Sequence, residues 1–144
     1  RRSKIWWDRR NQQMTGYDQY KENSVITAQP EELTLMLYNG LVKFIMKAQY
    51  AISKNDIQKA HDNIIKAQNI VLEFMATLDQ KYEISESLML LYDYMNRRLI
   101  EANYNKSTEI LDEVLGLSKQ LRDTWEQAIK LAKRPQQKNQ VAVG

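Results

Sequence analysis

The 144-residue chain is 43% hydrophobic and 27% charged, with only four glycines, two prolines and no cysteine. The scarcity of turn formers favours a helical protein of one domain, and the lack of thiols excludes disulfides, thiolate metal sites and a cysteine nucleophile. No apolar run approaches the roughly 20 residues that span a bilayer and no signal peptide is visible, so we expect a soluble, cytoplasmic protein without membrane insertion.

Residues 1–13, "RRSKIWWDRRNQQ", account for the formal net charge of +3. They hold five of the 21 basic residues and one of the 18 acidic residues, so the remainder carries 16 basic and 17 acidic residues. We expect this segment to be a non-native leader or a misassigned gene start, with Met14 as the true first residue, because Arg9 and Arg10 could be encoded by a ribosome-binding sequence. A Trp-rich basic membrane anchor is the rival interpretation, but the segment is too short to form a stable amphipathic helix alone.

Residues 14–29 are predicted to be an N-terminal cap segment, extended or irregular, before the first helix. That helix should begin near Pro30, which suits a first turn, and Glu31 and Glu32 complement the helix dipole. Apolar residues then recur every three or four positions as far as Ile52. Gly40 lies on the apolar face, which favours close approach of another helix.

The second predicted helix runs from about Ile57 to Leu78, after the turn "SKND" at residues 53–56. Its apolar positions cover an arc of about 220°, whereas a surface helix needs only ~100° or a little more. We therefore expect this helix to be covered on two sides.

The third helix is predicted from an N-cap at Ser85 to about Tyr104, and the fourth from residues 105–108 to Arg134. Residues 135–144 form a polar tail that is expected to be disordered. Four helices with short connections pack antiparallel to their neighbours, so the predicted fold is all-α, an up-down four-helix bundle over residues 30–134.

Residues for catalysis or metal binding are scarce. His61 is the only histidine and Gln58 stands three residues before it, so the Glu-x-x-His pair of di-iron bundles is absent. The chain has no Gly-rich phosphate loop or nucleophile elbow, and we expect no enzyme activity, no metal and no cofactor. Nucleic-acid binding is not expected either, because the lysines are scattered among acidic residues: Lys43, Lys47, Lys54, Lys59, Lys66 and Lys81.

The stretch "LLYDYMNRRLIEAN", residues 90–103, places three faces on the third helix. A core stripe comprises Leu88, Leu91, Tyr92, Met95, Leu99 and Ala102. Asp93, Arg97 and Glu101 are spaced four apart, which predicts a near-neutral ladder of ion pairs. Arg98 differs, since it sits at the border of the apolar stripe, one turn from Tyr94.

The second and third helices together carry more apolar surface than one bundle core absorbs. The simpler interpretation is that these residues have a structural role, because they enlarge the core or are covered by residues 17–28. A monomer rarely leaves such a surface bare, however, so a groove for a partner's amphipathic chain fits better, with the N-terminal segment as a temporary cover.

Three blocks in order resemble the flagellin-specific export chaperones of the FliS family: "YKENSVITAQPEELTLMLYNGLVKFI", "LYDYMNRRLIEAN" and "EVLGLSKQLRDTWEQAI". The resemblance spans about Tyr17 to Ile129. Two features depart from the family pattern, namely Gln29 in place of a Ser or Thr before the proline, and the 13-residue leader.

The resemblance implies a non-catalytic cytoplasmic chaperone that binds the C-terminal amphipathic segment of flagellin, prevents early polymerisation and delivers it to the flagellar type III export gate. The family motifs, together with the wide apolar faces of the second and third helices, predict a flagellin-binding groove made of Met36, Leu37, Tyr38, Ile65, Leu72, Leu90, Tyr94 and Arg98. The resemblance also implies an N-terminal cap and gate-docking segment with Tyr17, Tyr20 and Val25.

Other functions stay open at this point. A helix-bundle adaptor or regulator would bind an amphipathic helix of another flagellar or signalling protein, and the chain without a client could form a homodimer. A nucleic-acid binder would require residues 1–13 to be native and functional.

Overall fold

The computed structural model describes residues 30–133, which form four helices and no strand. These are α1 (Pro30–Ser53), α2 (Ile57–Thr77), α3 (Ser85–Asn105) and α4 (Thr108–Ala132). The four predicted helices are confirmed, and their bounds agree with the expected ones to within about two residues, the usual uncertainty at helix ends. The predicted N-terminal segment and tail lie outside the described residues, as do Tyr17, Tyr20 and Val25.

Short polar side chains cap the N-termini of two helices. Asp56 caps α2, where its carboxylate accepts a hydrogen bond from the backbone N–H of Lys59 at 3.1 Å. Ser107 caps α4 in the same way, with its hydroxyl accepting from the N–H of Ile110 at 3.1 Å. Each cap satisfies one of the first N–H groups, which have no partner inside the helix.

The expected N-cap at Ser85 is wrong. Ile84 occupies the cap position of α3 without a side-chain cap, and Ser85 is the first helical residue. The hydroxyl of Ser85 donates instead to the backbone carbonyl of Asp79, across the connection between α2 and α3. Ser85 is buried there, so its side chain ties down the loop rather than the helix end.

The four helices form the predicted up-down bundle. Each helix packs against its neighbours in the chain, and α4 also packs against α1, which closes the ring. Since α1 and α3 share the neighbours α2 and α4, they lie diagonally across the bundle. The largest fully buried side chains come from all four helices: Leu41, Ile45, Ile64, Ile70, Met95, Leu99, Leu111 and Val114.

Contacts between α4 and the start of α1 complete the ring. The indole Nε1–H of Trp125 donates to the backbone carbonyl of Glu31 at 2.8 Å. Lys133 lies 3.4 Å from the carboxylate of Glu32. Gly40 is among the buried residues of α1, on the face where the sequence predicts close helix packing.

Candidate functional site

Large apolar side chains remain exposed around α3. Of the ten large hydrophobic residues that are exposed in the described part of the chain, six lie between residues 72 and 104: Leu72, Tyr82, Ile84, Leu90, Ile100 and Tyr104. Leu90 is 67% exposed and Tyr104 is 88% exposed. Such a concentration on two adjacent helices and the connection between them indicates a surface that binds something apolar.

One shallow depression lies between α2 and α3 near the carboxyl end of α3. It is lined by His61, Gln68, Ile100, Asn103, Tyr104 and Lys106. Ile65 and Leu72 are three and four residues from Gln68, so they share this side of α2. A second depression lies at the start of α3, where Tyr82, Met89 and Leu90 contribute apolar atoms among polar neighbours.

We call these residues the α2–α3 surface: Ile65, Gln68, Leu72, Met89, Leu90, Ile100 and Tyr104. It follows α3 from one depression to the other. An elongated, open surface with exposed apolar side chains among polar ones suits an extended or helical segment better than a small molecule, which prefers an enclosed pocket.

His61 has a structural role at the edge of this surface. Lys106 donates hydrogen bonds to the side-chain and backbone oxygens of Asn103 at 2.8 and 2.7 Å. The side-chain oxygen of Asn103 therefore accepts, and its amide group donates to Nδ1 of His61 at 2.9 Å. The three residues join α2 to the end of α3, with no acidic partner for His61 among these contacts.

The structure separates the eight residues of the predicted groove into four groups. Leu72 is exposed on α2 and Leu90 on α3, and Ile65 is half-buried on α2, about two turns before Leu72. Met36 and Leu37 are half-buried near the start of α1, where Leu37 packs against the core. Tyr94 and Arg98 lie at the boundary between α3 and α4.

Tyr38 belongs to the core rather than to the surface. It is only 5% exposed, and its hydroxyl is 2.7 Å from the hydroxyl of Tyr92 on α3. The ring of Phe74 lies between them, 4.6 Å from Tyr38 and 5.4 Å from Tyr92 by centroid distance. Burial raises the pKa of both tyrosines, so both hydroxyls are protonated and share one internal hydrogen bond.

Tyr94 and Arg98 converge on Glu113 of α4. The Tyr94 hydroxyl donates to one oxygen of Glu113, and Nε of Arg98 donates to the other at 2.8 Å. These two hydrogen bonds, from Tyr94 first and from Arg98 second, lower the pKa of Glu113. The cluster fastens α3 to α4 and keeps Arg98 at the edge of the apolar stripe, as expected.

The predicted ladder of ion pairs is correct for Asp93 with Arg97 and wrong for Arg97 with Glu101. Arg97 pairs with Asp93 at 3.1 Å. Glu101 pairs with Arg98 at 2.6 Å rather than with Arg97. Arg97 lies over the ring of Tyr94, 5.9 Å from its centroid. Arg98 can hold Glu101 and Glu113 together because its guanidinium has several donors.

Within residues 30–133, no three His, Cys, Asp or Glu residues are grouped so that they could hold a metal ion. None of the four helices is long and apolar enough to cross a membrane.

Comparisons with known protein sequences lead to one family. Residues 13–132 match the family model described as flagellar protein FliS. The chain is 50% identical over 113 residues to the flagellar secretion chaperone FliS of Bacillus subtilis, covering 78% of this chain and 85% of that protein. It is 34% identical over 109 residues to the protein of the same name from Salmonella typhimurium, covering 74% of this chain and 81% of that protein.

A solved structure supports the fold. The chain superposes with a TM-score of 0.66 on a crystal structure of a bacterial flagellar chaperone, covering 81% of this chain and 97% of that one. The two sequences are 18% identical in this superposition, so the likeness concerns the arrangement of the helices.

Proposed function

The chain belongs to the FliS family of flagellar secretion chaperones, and from that membership we propose that it binds the C-terminal amphipathic segment of flagellin in the cytoplasm. Binding would cover the apolar side chains through which flagellin subunits associate, and so prevent early polymerisation. The complex would then be delivered to the flagellar export gate. The family is one of chaperones rather than enzymes.

The exposed apolar character of the α2–α3 surface is the observation that carries this proposal. A disordered client segment loses conformational entropy when it binds, so it needs a long path of apolar contacts to offset that loss. Leu72, Leu90, Ile100 and Tyr104 offer such contacts on two adjacent helices. Each fully buried large apolar side chain contributes roughly 1.5–3 kcal/mol, so several are needed for a stable complex.

Residues of the predicted groove differ in what they can offer a client. Leu72 and Leu90 are available without any rearrangement. Ile65 and Met36 offer part of their surface, whereas Tyr38 serves the core. Tyr94 and Arg98 present their outer edges beside Leu90, which places a polar margin along an apolar path. For Tyr17, Tyr20 and Val25 we keep the proposal that they cover this path in the free protein and dock at the export gate.

Calorimetry with flagellin tests the proposal directly. We expect Leu90→Asp to weaken binding at least tenfold, because a buried, unpaired carboxylate at an apolar contact costs several kcal/mol. Full-length flagellin should bind, and flagellin lacking its C-terminal segment should not.

Met46→Asp is the matched control. Met46 is a large apolar residue, 50% exposed, on α1 diagonally across the bundle from α3. It should leave flagellin affinity unchanged, and circular dichroism should show the same helicity for both variants. Equal affinities for Leu90→Asp and the unsubstituted protein would remove α3 from the binding path. Binding that survives loss of the flagellin C-terminus would favour another client segment.

A further inference from the structure

The hydrogen bonds of Asn103 determine which nitrogen of His61 carries the proton. A lysine ammonium group can only donate, so the side-chain oxygen of Asn103 accepts from Lys106 at 2.8 Å, and its amide group donates to Nδ1 of His61 at 2.9 Å. Since Nδ1 accepts, the neutral imidazole carries its proton on Nε2. Within residues 30–133, the side-chain hydrogen bonds of His61 and Lys106 all run to Asn103. The Nε2–H of His61 and the third N–H of the Lys106 ammonium group therefore remain for a ligand.

Both side chains line the depression near the carboxyl end of α3, where Ile100 and Tyr104 supply apolar atoms. Among the described residues that line it, Lys106 is the one charged residue, and none is acidic. Asp62, which follows His61 in the chain, accepts a hydrogen bond from a glutamine of its own helix. Because Ile100 and Tyr104 also belong to the α2–α3 surface, the two donors stand at one end of that surface.

The backbone at Lys106 favours a different type of residue. Lys106 ends α3 with φ 50° and ψ 48°, in the left-handed region. Glycine and asparagine suit such a position, because a longer side chain brings a Cβ close to a backbone carbonyl without an amide to compensate. Asn55, the other non-glycine residue of positive φ between residues 30 and 133, is an asparagine. The lysine at position 106 therefore contributes through its side chain and not through its backbone preference.

The opposite end of the α2–α3 surface carries the opposite charge. Glu83 and Glu86 line the depression at the start of α3, together with Lys81. Lys81 lies 4.0 Å from Asp79. Neither glutamate forms an ion pair in the part of the chain that the structure describes. The α2–α3 surface thus runs from an acidic end at the start of α3 to a basic end at Lys106.

A helical client segment has a matching polarity. Its N-terminal end carries the partial positive charge of unpaired N–H groups, and its C-terminal end carries partial negative charge together with any carboxylate there. Complementary charges across an interface set orientation and register more than they set affinity. A segment whose C-terminal end lies beside Lys106 has both of its ends matched, and it runs in the same direction as α3.

We propose that His61 and Lys106 form a carboxylate-binding corner, which sets the direction of the client segment on the α2–α3 surface. Nε2 of His61 and Nζ of Lys106 donate to a carboxylate at the C-terminal end of the segment. That carboxylate is either the chain terminus or an Asp or Glu side chain of the last turn. This inference rests on the proposed function, because it takes the C-terminal segment of flagellin as the client.

Calorimetry with a synthetic peptide of the flagellin C-terminal segment tests the proposal. The peptide is prepared as the free acid, as the C-terminal amide, and with Asp and Glu of its last turn replaced by Asn and Gln. A hydrogen bond to a charged group contributes about tenfold or more in affinity, so one of the two altered peptides should bind at least about tenfold more weakly. Loss on amidation assigns the corner to the chain terminus, and loss on side-chain replacement assigns it to an acidic side chain.

Lys106→Asn is the matching change in the protein, because asparagine accepts the left-handed backbone and removes the charge. It should bind the free acid about tenfold more weakly and should no longer distinguish that peptide from the weakened one. Lys106→Arg should keep most of the affinity, since it restores the charge. Circular dichroism should show the same helicity for both variants.

The control is Lys130→Asn, which removes the same charge from the last turn of α4, at the opposite end of the bundle. It should bind every peptide as the unsubstituted protein does. An equal loss in Lys130→Asn would show that net charge alone matters and would overturn the proposal. Equal affinities of the unsubstituted protein for all three peptides would also overturn it, as would a loss in Lys106→Asn of the same factor for each peptide. If the unsubstituted protein binds none of the peptides, the proposed function fails and this inference fails with it.

Discussion

At the residue scale, the contacts that specify this bundle are those that join distant positions. The Tyr38 and Tyr92 hydroxyls are 54 residues apart in sequence and meet in the core. The sequence placed Tyr92 correctly in a core stripe, but nothing in its local pattern shows that Tyr38 turns inward as its partner. Arg98 shows the same limit, because its pairing with Glu113 depends on how α4 is rotated against α3. Helical periodicity predicts which side of a helix is buried, and not which residues of two helices meet.

We expect the two tyrosines to behave as a coupled pair. Tyr38→Phe or Tyr92→Phe alone should lower the free energy of unfolding by about 1–3 kcal/mol, because each leaves one buried hydroxyl without its partner. The double substitution should cost less than the sum of the single ones. Urea unfolding of all four proteins measures this, and additive effects would show that the two hydroxyls are not energetically linked.

The same pair predicts loss of stability in alkali. The folded protein holds both tyrosine pKa values above the ordinary value of 10.0, so above that pH the unfolded chain releases protons that the folded one retains. Stability is then fully present below pH 10 and falls as the pH rises. Thermal unfolding between pH 8 and 11, an interval that includes the ordinary tyrosine pKa of about 10, should show a shallower decline in stability for Tyr38→Phe/Tyr92→Phe than for the unsubstituted protein. An equal decline in stability for the two proteins would show that Tyr38 and Tyr92 are not its source.

At the scale of elements, sequence was most informative about the helices themselves. Spacings of three and four, Pro30 at the first turn of α1 and the polar turns at residues 53–56 and 105–108 predict their existence and bounds. The sequence predicted the wrong N-cap for α3, and this helix follows the longest connection between helices, residues 78–84. There the Ser85 hydroxyl donates to the backbone carbonyl of Asp79 instead of capping its own helix. This contact depends on the conformation of the whole connection.

We expect the cap of α2 to contribute measurably to stability. Asp56→Ala removes the acceptor of the Lys59 N–H and should lower the free energy of unfolding by about 1 kcal/mol. Asp56→Asn should restore most of that loss, because an asparagine oxygen accepts the same hydrogen bond. Thermal unfolding compares the three proteins. A loss of equal size in the asparagine variant would mean that the charge, and not the hydrogen bond, stabilises the helix.

At the scale of the whole molecule, the bundle gathers six of the ten exposed large apolar side chains of residues 30–133 on α2, α3 and the connection between them. The α2–α3 surface has a polar margin at Tyr94 and Arg98, which both contact Glu113 of α4.

The hydrogen bond from the Trp125 indole to the Glu31 carbonyl has a consequence for folding during synthesis on the ribosome. It joins positions 94 residues apart, so the start of α1 remains without this partner until α4 has emerged. The α1–α2 and α2–α3 pairs need only short loops and can form earlier, while closing the ring must wait for nearly the entire chain. We therefore expect the side of α1 that packs on α4 to stay exposed until α4 has emerged, and a chain ending at residue 107 to form an open three-helix intermediate.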